Sequence, residues 1–267
     1  MLSFTNTMKY CTTGVVQSNQ QVAQAIFLTK IHTPIIAQNC SPAQFVNFYF
    51  PDSVKLFPRP FSIAGKEGEN ILILYKIVGS QTALMSQWSK GTELKLLGPL
   101  GNSFKITQRH YTNYILLAGG VGAAPLLFLR DELSAVGIKP YFFIGARTNS
   151  ELPLNQDEKS HLLLSTDDGS AGFQGTVIAH FIHHLNQFAA PSIVCTCGPK
   201  AMLKALKQYN LPEYFDVFVS LERVMACGLG LCQGCVVRMN KPAAEPCYSL
   251  VCKDGPVFNL KDVQLDG

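Results

Sequence analysis

Tyr114-Ile115-Leu116-Leu117-Ala118-Gly119-Gly120-Val121-Gly122-Ala123-Ala124-Pro125-Leu126-Leu127-Phe128-Leu129 is the longest apolar run in the chain and carries no charge. Three glycines and a proline interrupt it, so it reads as a buried strand, a tight turn and a helix opened by Pro125, not as a membrane span. The residues that follow keep the same rhythm. Strands are predicted over Tyr141–Ile144, Leu162–Ser165 and Ile193–Thr196, and helices over Ala123–Ala135, Val177–Phe188 and Pro199–Tyr209. Strands alternating with helices imply a parallel sheet, and ligands bind such sheets at the carboxyl ends of the strands. Gly119, Gly120 and Gly122 stand at such an end, where missing side chains let a pyrophosphate approach a helix N-terminus. Packing of strand against helix would explain the same glycines.

Upstream, to about residue 107, short strands are broken by polar turns. Gln44–Phe50 alternates, and Ile71-Leu72-Ile73-Leu74-Tyr75 is a strong strand former. This favours an antiparallel barrel. Downstream, Cys227, Cys232 and Cys235 are spaced C-x4-C-x2-C, and Cys252 follows in V-C-K-D-G-P-V-F. That is the spacing of a plant-type [2Fe-2S] site, in which one loop supplies three thiolates and a distant cysteine the fourth. Gly228, Gly230 and Gly234 allow the tight turns that aim amides at sulfur. Four cysteines also suit a tetrahedral zinc ion, although structural zinc usually pairs C-x2-C with C-x2-C. Cys247 competes for the fourth position. The turn-forming Lys241–Pro246 ahead of it favours Cys252, which ends the strand-like Tyr248–Val251 and precedes a Gly-Pro turn.

Arg59-Pro60-Phe61-Ser62, Leu74-Tyr75-Lys76, Gly98-Pro99-Leu100-Gly101, Gly119-Gly120-Val121-Gly122, Cys197-Gly198-Pro199 and the terminal cysteine motif occur in that order over nearly the whole chain. The set resembles the electron-transfer subunits of type B (NAD-dependent) dihydroorotate dehydrogenases, within the ferredoxin–NADP reductase superfamily. The resemblance implies a multidomain β plus α/β protein. Residues 1–107 would form an antiparallel FAD-binding β-barrel, 108–220 a parallel-sheet NAD-binding domain, and 221–267 a small [2Fe-2S] module. By the same resemblance Arg59 neutralises the FAD pyrophosphate, while Pro60, Phe61 and Ser62 face the flavin. Leu74, Tyr75 and Lys76 run along the FAD, and a turn holding Gln81 and Thr82 donates amides to it, with Gln81 where glycine is expected. Gly119, Gly120 and Gly122 would hold NAD, and Cys197, Gly198 and Pro199 would lie beside the nicotinamide, Cys197 as the catalytic candidate. Cys227, Cys232, Cys235 and Cys252 become the cluster ligands. The implied partner is an FMN-containing catalytic dihydroorotate dehydrogenase subunit in a heterotetramer. Thr166-Asp167-Asp168-Gly169-Ser170 also matches the superfamily; its carboxylates suit either ribose contact or turn capping.

Other readings remain. The same motifs fit a sulfide dehydrogenase, a ferredoxin:NADP oxidoreductase or a hydrogenase diaphorase subunit. A metal-stabilised interaction subunit without flavin turnover fits the cysteines alone. Among 267 residues, 47% are apolar, enough for real cores. Net charge is 22 − 18 = +4, with no basic block, which argues against a nucleic-acid footprint. Nine cysteines without a secretory pattern in MLSFTNTMKY point to a reducing cytoplasm. Cys11 and Cys40 read as small buried hydrophobes, Cys195 and Cys197 as facing one side of a strand, and Arg147, just past a strand end, as a surface charge or a contact to an adenosine phosphate. His180, His183 and His184 read as one polar helix face.

Overall fold

The computed structural model describes residues 8–50, 57–104, 111–188, 191–240 and 247–265. Six strands close a barrel: β1 (Tyr10–Ala23), β2 (Ile26–His32), β3 (Phe45–Tyr49), β4 (Arg59–Glu67), β5 (Asn70–Lys76) and β6 (Glu93–Leu100). Their order is β1-β2-β5-β4-β3-β6, antiparallel throughout. Alternation sends Val46, Phe48, Ile63, Ile71 and Ile73 into the barrel interior. Two short helices fill connections, α1 (Pro34–Asn39) and α2 (Ser80–Met85). The turn expected around Gln81 is therefore the opening of a helix.

The second layer system begins with β7 (Asn113–Gly119) and α3 (Ala123–Ala135). It continues through β8 (Tyr141–Ala146), β9 (His161–Thr166), β10 (Phe173–Gln174), α4 (Val177–His183), β11 (Ser192–Cys197), α5 (Lys200–Gln208) and β12 (Phe215–Ser220). The chain steps from β7 outward to β8, β9 and β10, then returns to β11 on the other flank of β7. That reversal makes the carboxyl ends of β7 and β11 a topological switch point, the place where a crevice opens in such sheets. The helix expected over Val177–Phe188 is shorter, because α4 ends at His183 and gives way to a tighter turn over Leu185–Gln187.

The C-terminal segment holds β13 (Val236–Met239) and β14 (Cys247–Leu250), paired with each other, and β15 (Val257–Asn259). β15 lies past the boundary expected at residue 220, yet it pairs antiparallel with β12 and extends the parallel sheet. The three regions share their cores. Ala64 and Leu74 of the barrel pack with Leu126 and Leu129 of α3, while Phe45, Leu97 and Leu100 pack with Cys235, Val237 and Cys252. No helix among the described residues is long and apolar enough to cross a membrane.

Candidate functional site

A cavity of about 530 Å³ opens where barrel, switch point and C-terminal segment meet. Pro60, Phe61 and Ser62 of β4 and Leu74, Tyr75 and Lys76 of β5 line its barrel side, as does Thr82. The tripeptides named from sequence thus stand together, because β4 and β5 are neighbours. Tyr75 is buried, its hydroxyl donates to Asn19 Oδ1 at 3.3 Å, and burial raises its pKa. Arg59 lies outside the cavity lining. Its Nε donates to Gln81 Oε1 at 3.1 Å, and Gln81 Nε2 is buried without a partner among the described residues. Gln81 therefore holds the arginine, and the amides of Val78 and Gly79 are engaged by Thr82, whose hydroxyl oxygen accepts from them at 2.9 and 3.1 Å.

The opposite wall comes from the switch point and from a stretch that the sequence reading left unassigned. Val121 contributes from the glycine turn, Ala124 from the start of α3, and Ser220–Met225 from the end of β12 and the segment after it. Gly119 and Gly122 do not line the cavity. A Cβ on Gly122 would fall 2.4 Å from the Cys197 carbonyl, and one on Gly119 would fall 2.7 Å from Pro199. These two glycines bring the G-G-V-G turn against the C-G-P turn, so packing explains them. Gly120 differs: its φ is +54° and open space lies where a Cβ would be, the form of cradle an anion needs.

Gly198 and Pro199 line a smaller crevice of about 190 Å³, shared with Leu221, Glu222 and Arg223. Glu222 and Arg223 border both cavities. Glu222 stays open to solvent within the crevice, yet the surrounding protein removes enough water to raise its carboxyl pKa. Cys197, in contrast, is 1% exposed, and burial pushes its thiol well above the ordinary value, with Glu222 adding to the shift. Both Cys195 and Cys197 pack in the core between sheet and α3, on the one side expected.

The cysteine loop runs beside this site. Its four thiols form two neighbouring pairs, Cys227 with Cys232 and Cys235 with Cys252. Backbone amides aim at the sulfurs: Leu229 and Cys232 donate to Cys227 Sγ at 3.3 and 3.4 Å, Gly230 to Cys252 Sγ at 3.1 Å, and Cys252 to Cys235 Sγ at 3.4 Å. For Cys227, burial opposes ionisation, but the amides outweigh it and bring the pKa down to about 6. For Cys252, burial and then the Cys235 thiol raise it to about 12. No three His, Cys, Asp or Glu side chains among the described residues are gathered as one ion would need. Two thiol pairs joined by amide-to-sulfur bonds suit a di-iron centre with two thiolates per iron better than a single tetrahedral zinc. Cys247 opens β14 opposite Met239 and packs at the core edge, whereas Cys252 follows in a turn, so the strand starts and stops one residue earlier than expected. Lys241–Pro246 lie outside the described residues.

Several expectations are corrected. His180 is a core histidine, not part of a polar face: it is 7% exposed, stacks on Phe173 at 4.6 Å and meets Ser165 Oγ through Nδ1 at 3.0 Å. Cys40 is buried, but Cys11 is exposed on β1. Arg147 is a surface charge, as expected, paired with Glu151, which also bridges to Lys76 at 3.3 Å. Asp168 caps its own loop, accepting from the amide and hydroxyl of Ser170 at 2.9 and 2.6 Å.

A flavin-sized cavity in an antiparallel barrel, a dinucleotide switch point and a four-thiol loop in one body define an NAD-linked iron–sulfur flavoprotein oxidoreductase. Comparison with known proteins agrees. Residues 222–264 match the model for the iron–sulfur cluster binding domain of dihydroorotate dehydrogenase B. The dihydroorotate dehydrogenase B (NAD(+)) electron transfer subunit of Streptococcus pneumoniae strain R6 is 32% identical over 94% of this chain and 97% of its own length. That of Fusobacterium nucleatum is 33% identical over the same shares. The solved structure of an NADH-dependent reduced ferredoxin–NADP oxidoreductase superposes with a TM-score of 0.83 at 27% identity, covering 94% of this chain and 90% of that one. Phthalate dioxygenase reductase shares the fold, with a TM-score of 0.62 at 17% identity over 86% of this chain and 87% of that one. The chain belongs to the family of electron-transfer subunits of dihydroorotate dehydrogenase B. Its cofactors are FAD and a [2Fe-2S] cluster, it exchanges electrons with NAD(H), and it works with a catalytic partner subunit.

Proposed function

We propose that this protein carries electrons between NAD and an FMN-containing dihydroorotate dehydrogenase subunit, by way of FAD and the cluster, in cytoplasmic pyrimidine biosynthesis, as part of a heterotetramer. The observation that carries this reading is the meeting of the 530 Å³ cavity, the switch point and the thiol loop in one body. When bound, FAD exchanges a hydride with NAD on one side and single electrons with the cluster on the other. Removing two hydrogens from dihydroorotate releases two electrons and two protons. One proton and both electrons reduce NAD to NADH, and the second proton goes to solvent.

The residues divide this work by position. Residues 1–107 would hold FAD: Pro60, Phe61, Ser62, Leu74, Tyr75 and Lys76 would wall the flavin, Thr82 engages the amides of the adjoining turn, and Arg59, steadied by Gln81, would supply a cation to the pyrophosphate. Residues 108–220 take NAD, with Gly120 leaving room for phosphate, Gly119 and Gly122 fixing the turn, and Gly198 and Pro199 shaping the nicotinamide crevice. Cys197, its thiol buried, supports that crevice through its backbone carbonyl, which packs against Gly122. Residues 221–267 bind the cluster through Cys227, Cys232, Cys235 and Cys252.

Anaerobic purification with flavin, iron and sulfide analysis tests the reading. One FAD and two irons per chain are expected, with NADH reducing an artificial one-electron acceptor. Dihydroorotate oxidation is expected only once the catalytic partner is added. Zinc in place of iron, a colourless protein, or dihydroorotate turnover by this chain alone would overturn it. The likeness to a ferredoxin–NADP oxidoreductase supports a second reading with ferredoxin as the acceptor; failure of the partner to couple dihydroorotate to NAD would favour it.

A further inference from the structure

Asn47 is fully buried in the middle of β3, between Val46 and Phe48 of the barrel core. Strand alternation turns Phe45, Asn47 and Tyr49 to the outer face, where Phe45 joins the core containing Cys235 and Cys252 and Tyr49 packs against it. Asn47 Nδ2 donates to the Cys227 carbonyl at 3.3 Å. The next residue, Gly228, has φ +70°, and a Cβ there would lie 2.4 Å from Asn47 Nδ2. The loop thus keeps a glycine where the asparagine needs room. Asn47 Oδ1 is buried with no partner among the described residues, and an unpaired buried carbonyl is a cost. An apolar side chain would remove that cost but also the donor to Cys227, so what the amide supplies is its hold on the loop.

On its other side Asn47 pairs in register with Pro60, and Pro60 and Phe45 both line the flavin cavity. One strand pairing and one hydrogen bond therefore join the cavity wall to the first cysteine of the loop. A second tether fixes the far end. Asn102 donates through its amide to Gly255 O at 2.7 Å and through Nδ2 to Lys253 O and Asp254 O, both at 3.0 Å, next to Cys252.

We propose that Asn47 is the positioning residue that fixes Cys227 against the flavin wall and so sets electron passage between FAD and the cluster; this rests on the function proposed above. Each NADH oxidised yields NAD, a proton and two electrons, which leave the flavin one at a time, so two electrons cross this seam per NADH. The test uses the full-length protein carrying Asn47→Leu, which keeps the branched shape and heavy-atom count and removes the donor, and Asn47→Ser, which stays polar but falls short of Cys227. Stopped-flow mixing with NADH under anaerobic conditions compares the flavin and cluster bleaching phases, and electron paramagnetic resonance reads the reduced cluster. In variants holding full iron and FAD, the cluster phase is expected to slow severalfold relative to the flavin phase, because electron passage weakens with separation, with altered g values. A wild-type rate ratio in an iron-replete variant overturns the proposal whatever the resonance spectrum shows. Loss of iron from both variants also overturns it, since that would mark a role in assembling the site instead. A wild-type protein lacking iron and flavin would defeat the functional reading itself, and metal analysis detects that separately.

Discussion

On the barrel side of the seam, Phe45, Asn47 and Tyr49 are held between two antiparallel neighbours, β4 and β6. On the other side, Gly228–Gly234 belong to no strand or helix, and their backbone is organised by amides aimed at sulfur. The barrel wall has hydrogen-bonded register and an apolar interior of its own, so it keeps its shape whether or not a flavin is bound. The loop draws its shape from the thiolates it presents. Away from the Asn47 and Asn102 tethers, perturbing one side should therefore leave the other largely intact, and that asymmetry can be attacked directly.

The largest effect is expected from Cys252→Ser, which removes one member of a thiol pair and the acceptor of the Gly230 amide. Visible absorbance and the paramagnetic signal of the cluster should vanish while FAD stays bound; Cys247→Ser should keep both signals. The reverse pattern would reassign the ligand and erase the contrast drawn here.

Acid should weaken the packing of α4 against the sheet. Burial, then His184 and His183, lower the pKa of His180 from 6.5 to about 4. Because the folded-state value lies below the unfolded one, the unfolded chain takes the proton first. The stability His180 contributes is full above about pH 6.5 and is lost as pH falls through 4, an effect of about 3 kcal/mol from a shift of this size. Urea unfolding between those limits should show this slope, and His180→Phe should flatten it.

Arg59→Ala strikes the flavin side alone. Loss of a charge-assisted bond worth about 1.5–3 kcal/mol should weaken FAD retention roughly 10- to 100-fold and leave iron content alone, as gel filtration with cofactor analysis would show. The smallest effect is expected from Asn102→Ala, which keeps its backbone bond to Gly255 and loses two side-chain bonds. A stability loss of about 1 kcal/mol should appear in chemical unfolding, with faster bleaching of the cluster in air. Equal sensitivity of flavin and cluster to either substitution would mean that the two sides are not independent.

What could be read from the sequence was whatever is written locally. Tyr114–Leu129 states strand, turn and helix within one window, and C-x4-C-x2-C states three of its four donors within nine residues. Asn47 gives no such signal: it looks like a polar slip in an alternating strand, and its partner lies 180 residues away. Ser220–Met225 escaped notice for a related reason, since an irregular stretch gains meaning only when β12 delivers it to the cavity. His180 misled because helical spacing with His183 and His184 predicts a shared face, whereas the approach of Phe173 from the sheet edge decides which ring is covered. Gly119 and Gly122 carried the right motif for a reason only the fold reveals, the close passage of a second turn.

β12 ends at Ser220 and β15 begins at Val257 as its antiparallel neighbour, so the chain leaves the sheet and re-enters it at nearly the same place. The iron-binding segment is in effect a hairpin excursion whose two feet are stapled down. Losing the metal would slacken the excursion without unmooring its ends, and the search for the right sulfurs on reloading would take place inside a closed loop. Reconstitution with iron and sulfide should then proceed on folded protein, with no need to unfold the chain first.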